Sequence, residues 1–305
     1  MDSKIHLQLA RQDEETLSRG DAVKVHDNVA PSQLIYQGLQ IEEQQCVYFF
    51  FPDDYDIRYS YATNITKLGA HATNLQKAKI LECSNTLRHK IYAWITIQQL
   101  YIPAVALLRS QDDSAEVAPV AVQDIKLYLP STLPRVSFCS VLFIQHEWDF
   151  RYAQAQETLN ELRGFLLLYS HMLKSKDRHI RGQRLHTRSI KLLSDVESKI
   201  QGSASKYRRI WTALEALSLP LLQTTWKKVL RPLVSGDVTG LSSMDNSQSE
   251  GRKKLSWIWK VYGTGANVDD CTEAGKPYKF LVIVMLTAEQ FSTSYRVVQS
   301  SCSCA

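Results

Sequence analysis

Apolar side chains, with one serine among them, recur at alternating spacings of three and four along two stretches of this 305-residue chain. Tyr152, Ala155, Leu159, Leu162, Leu166, Tyr169 and Leu173 form the first series; Leu193, Val196, Ile200, Ser203, Tyr207, Ile210, Leu214 and Leu217 form the second. Such spacing keeps its members on one stripe of an α-helix, ready to meet a facing stripe. A short polar break at Gly182 separates the two, which predicts an antiparallel helical hairpin. Each large aliphatic side chain fully buried in that seam contributes about 1.5–3 kcal/mol before entropy is subtracted. Gly164 and Gly202, at about 1 kcal/mol each relative to alanine, are tolerable inside it.

A third helix is predicted from Thr73. Thr73 and Gln76 have the T-x-x-Q spacing of a capping box, which satisfies orphan amides at a helix start. Ile80, Ser84, Leu87, Ile91, Trp94, Gln98 and Tyr101 repeat behind it, with two polar positions in the stripe, and Pro103 ends or kinks the helix. The fold class expected is mainly α: a long antiparallel helix hairpin or three-helix bundle with irregular N- and C-terminal segments. The bundle is placed at 73–233, after an irregular, partly helical segment 1–72 that Pro31 interrupts. A Ser/Gly/Asp-rich flexible loop 234–252 follows, then a docked aromatic segment with an atypical tail, 253–305. Between Gln111 and Pro134 a linker is expected, with Ile125–Leu129 as a short strand and Val136–Ile144 as its partner.

Charge adds an asymmetry. The net charge is +5, but residues 1–60 hold eleven acids and five bases, so the body is basic. A basic body directs attention to acidic partners, nucleic acid first. The six cysteines are scattered and form neither a disulfide framework nor paired zinc knuckles. The opening residues lack the apolar core of a signal peptide, and the longest apolar run, Phe280–Leu286, is short of the roughly 20 residues a membrane span needs. A reduced, nuclear or cytoplasmic protein is expected, without membrane or small-molecule partner and without cofactor.

Catalytic signals fail one by one. His146-Glu147 opens like the zinc helix H-E-x-x-H, but Phe150 stands where the second histidine belongs. Gly263 and Gly265 begin a dinucleotide-type loop that Val268 does not complete. Asp53, Asp54 and Asp56 follow an aromatic run and could hold Mg²⁺ for a nuclease, though such a cluster is more often a solvated turn after a strand. The hairpin bend carries the strongest chemistry: Lys174, Lys176, Arg178, Arg181, Arg184, Arg188 and Lys191 lie within eighteen residues, with Asp177 the single acid and His179 and His186 interleaved. Such a cluster can grip phosphates, and these seven residues are the candidate nucleic-acid contacts. The blander reading is a hydrated turn.

Several blocks resemble a known family: Arg151-Tyr152-Ala153-Gln154-Ala155, Leu159-Asn160-Glu161-Leu162-Arg163, Lys176-Asp177, Arg181-Gly182-Gln183-Arg184, Thr187-Arg188, Lys206-Tyr207-Arg208, Leu230-Arg231-Pro232-Leu233 and Leu255-Ser256-Trp257-Ile258-Trp259-Lys260. With Asn74–Pro103 upstream, they look like the C-terminal helical region of fungal Kyakuja-Dileera-Zisupton (KDZ) transposases, over roughly residues 63–262. The resemblance implies a mobile-element origin and a region without the catalytic acids, since the metal-holding core of such enzymes lies upstream of it. It offers no position onto which those acids can be carried, and the expectation is a non-catalytic helical remnant that self-associates or binds DNA weakly. A stand-alone helical interaction module without nucleic-acid binding is the alternative. The chain departs from the family pattern near Asp270, and segments 46–62 and 271–305 have no counterpart there; translated intron or frameshifted sequence would explain both.

Overall fold

Helix formation follows the apolar periodicity closely. In the computed structural model, residues 7–12, 29–46, 73–115, 120–133, 139–179, 182–240 and 256–259 are described. Residues 7–12 are helical, and five longer helices organise the rest: α1 (Pro31–Cys46), α2 (Asn74–Tyr101), α3 (Ala104–Ala115), α4 (Val141–His179) and α5 (Gln183–Ser218). No strand occurs among the described residues. Helices α4 and α5 pack as the predicted hairpin, and Leu159 and Ile200 on its seam are 4% and 5% exposed.

The chain divides into two compact units, one of Met1–Thr158 with Ser205–Pro232 and one of Leu159–Ala204 with Leu233–Ala305. In the first, Leu34, Ile35 and Leu39 of α1 join Leu87, Ile91 and Trp94 of α2, and Phe143 and Phe150 of α4, in a continuous apolar core. Pro31 therefore begins a helix instead of interrupting one; its missing amide proton is one that a first-turn residue leaves unpaired anyway. Helix α1 approaches α2 so closely that a Cβ on Gly38 would lie 2.6 Å from Trp94 Cζ2, and Trp94 Nε1 donates to the Leu34 carbonyl at 2.9 Å. Tyr36 meets Phe150, and Tyr101 meets Phe143, edge to face.

Helix α2 starts at the capping box predicted for it, with Thr73 accepting from the Gln76 amide and Gln76 from the Thr73 amide. It stops at Ile102, and Pro103 is followed at once by α3, so the expected linker is partly helical.

The strand expected at Ile125–Leu129 does not form. Tyr128 sits at φ 51°, which breaks an extended run. The carbonyls a partner strand would have taken are bound by side chains instead. Gln45 Nε2 donates to the Val122 and Ile125 carbonyls, each at 2.9 Å. Gln98 Nε2 donates to those of Leu127 and Tyr128 at 2.9 and 2.8 Å. The supposed partner is not a strand either: Val141–Ile144 is the first turn of α4, and residues 134–138 lie outside the described ones. Gln98, one of the two polar positions in the α2 stripe, is thus the clamp that holds this loop to the core.

The same unit contains a second cluster, where the C-terminal half of α5 meets residues 225–232. Tyr207 donates to the Arg231 carbonyl at 2.8 Å, and Trp211 to that of Leu230 at 3.2 Å. Trp226 is wedged between Trp148 and Trp211, with ring centroids 5.6 Å from each. These aromatic residues are packed together, not held out for base stacking.

In the second unit, Leu159, Leu162 and Leu166 of α4 and Leu193, Val196 and Ile200 of α5 are buried. Docking of the aromatic segment is visible at residues 256–259: Ile258 is fully buried, its carbonyl accepts from Arg163 Nε, and Trp259 Nε1 donates to the Thr239 carbonyl at 2.9 Å. The remainder of the expected loop and tail, residues 241–255 and 260–305, lies outside the described residues, as do 47–72.

Candidate nucleic-acid interface

The cationic bend lies wholly within the second unit. Lys174, Lys176 and Arg178 occupy the final turns of α4; Arg184, Arg188 and Lys191 occupy the opening turns of α5. Gly182, at φ 89°, starts the second arm, and its carbonyl accepts from the His186 amide at 3.1 Å. A left-handed residue there costs glycine nothing, while a side chain would add strain. Arg181 lies outside the described residues.

Five of the six described cations are exposed, and Lys176 is half-buried. Lys174 and Arg178 are four apart and share a face of α4; Arg184, Arg188 and Lys191 fall at i, i+4 and i+7 and share a face of α5. Asp195 continues the α5 stripe and ends its run of positive charge.

The two helix ends differ electrostatically. Cations in the last turns of α4 complement its dipole. Those opening α5 oppose it, at a cost of about 0.3–1 kcal/mol for a charge in the first turn. Arg184 and Arg188 also repel each other as an i,i+4 pair, by about 0.2–0.5 kcal/mol. No acid stands in the first turn of α5 to offset them. Helix stability alone would favour the opposite arrangement, so these bases are the part of the bend that local folding does not explain.

Further down α5, Lys199 is 4% exposed and its ammonium lies 5.5 Å from the centre of the Phe165 ring. Burial lowers its pKa to about 8, and the neighbouring Asp195 carboxylate opposes that shift. Lys199 is a packed residue rather than part of the exposed stripe.

The other candidates resolve differently. Glu147 is fully buried in the first unit: its carboxylate accepts from the Ser131 amide at 2.8 Å, the Ser131 hydroxyl at 2.6 Å and Arg151 Nε at 3.2 Å. Arg151 in turn reaches Glu42 at 2.5 Å. This chain of charges ties α1, α4 and the loop before α4 together. It was hidden in the sequence, where Glu147 and Arg151 look like an ordinary surface i,i+4 pair and Glu42 is more than a hundred residues away. The nuclease candidates Asp53, Asp54 and Asp56, and Gly263 and Gly265, lie outside the described residues. Among the described residues no three His, Cys, Asp or Glu side chains converge on a metal position, and no helix is long and apolar enough to cross a membrane.

No family model, curated protein or solved structure matches the chain.

Proposed function

We propose that this chain is a non-catalytic helical remnant of a KDZ-type transposase C-terminal region that contacts DNA weakly through the bend of its long hairpin. The observation that carries this reading is the exposure of cations on both arms of the bend, with Asp177 as its single acid. Each phosphate neutralised there releases condensed counterions, a driving force that needs no shaped pocket. The likeness to KDZ transposases supports the reading through the sequence blocks alone. No cofactor is required, and the setting is nuclear or cytoplasmic.

Exchanging Arg184 and Arg188 for Glu tests it. The doubly reversed protein should lose retention on DNA at low salt while keeping its helical circular dichroism. Undiminished retention would refute the DNA reading. The second reading, a helical interaction module or self-associating protein, is favoured by Leu75 and Leu81, which are 66% and 60% exposed on the first turns of α2. It expects a concentration-dependent change in sedimentation that Leu81→Lys abolishes.

A further inference from the structure

Resting on the DNA reading above, we infer that the α5 stripe Arg184–Arg188–Lys191 lies along one strand of duplex DNA and binds its phosphates without reading sequence. Three features carry this. The first and last members of the stripe are seven residues apart, about 10 Å along the helix axis, and a strand presents a phosphate about every 3.4 Å of duplex axis, so three or four successive phosphates fall within reach of the three cations. All three side chains are exposed. The residues from 171 to 192 contain no Phe, Tyr or Trp, and His171, His179 and His186 are their aromatic rings, so the bend lacks the large ring platforms for base stacking on which single-strand binders rely. The neighbouring α4 end offers a poorer match: Lys174 and Arg178 share a face, but Lys176 projects from the other side.

The contact therefore prefers a duplex, where charge density is highest, and is indifferent to base order. The test measures fluorescence anisotropy of the full chain with two duplexes of unrelated sequence and one single strand, across a salt series. Wild type should bind both duplexes within about threefold of each other and the single strand more weakly. Arg184→Gln, Arg188→Gln and Lys191→Gln together should make the log–log salt slope shallower by about 2.7, so that a fourfold rise in salt costs the variant about 40-fold less affinity than it costs wild type. Lys174→Gln, Lys176→Gln and Arg178→Gln together should change the slope by less than about 2. Glutamine keeps helix propensity, and circular dichroism verifies the fold.

An unchanged slope in the α5 variant, an equal loss from the α4 variant, a tenfold preference for one duplex, or tighter binding to the single strand would each overturn the stripe while leaving DNA binding intact. Absence of binding by wild type at low salt would instead overturn the underlying DNA reading, and the stripe with it.

Discussion

Replacing Arg151 with Met removes the cation that links Glu42 and Glu147 inside the first unit. Arg151 is 3% exposed and Glu147 fully buried, whereas Glu42 retains contact with water. Removing one partner of a buried pair costs about 3–5 kcal/mol, because the other charge stays desolvated. With a urea dependence of about 3 kcal/mol per molar, the unfolding midpoint followed by circular dichroism should fall by about 1 M or more. The loss should also depend on pH. Burial pushes the Glu147 carboxyl above its ordinary value of 4.5, while Arg151 and the Ser131 hydrogen bonds pull against that. The folded chain thus holds this proton more tightly than the unfolded one. Its contribution is full below 4.5 and is lost as pH rises through the folded value. Without Arg151 the carboxyl rises further, so the variant's penalty should be smaller at pH 5 than at pH 8. Adding Glu147→Gln should recover much of the loss and flatten its pH dependence, since no buried charge then lacks a partner. A penalty below about 1 kcal/mol, or one equal at both pH values, would refute the buried-network account.

Two further predictions concern single residues. Gln98→Leu leaves the Leu127 and Tyr128 carbonyls without their donor and should cost about 2–3 kcal/mol in thermal unfolding, with faster proteolytic cleavage within residues 120–133; unchanged stability would mean that the clamp is idle. Lys199→Met should raise the melting temperature at pH 7, because folding pulls the Lys199 ammonium down to about 8 from 10.5. The unfolded chain keeps that proton to higher pH, so wild-type stability rises between about 8 and 10.5, and the variant's advantage should shrink over the same range.

The helices were legible because their information is local. Capping at Thr73, the three-and-four spacings from Tyr152 to Leu217 and the glycine at the bend each act within a turn or two, and a buried stripe has a period that a sequence displays. The cationic bend was legible for the same reason, since charges close in sequence stay close on two helix ends. The loop at 120–133 was not. Its apolar alternation is that of a strand, but its carbonyls are satisfied by Gln45 and Gln98, residues that sequence distance hides. Nor could the pattern around Pro31 reveal that α1 covers Trp94, or that Glu42 closes an ion chain begun by Glu147. Periodicity shows which face of a helix seeks burial, whereas the identity of the covering group depends on long-range packing. Only the tertiary structure brings those partners within hydrogen-bonding distance, where desolvation turns an ordinary polar residue into a structural one.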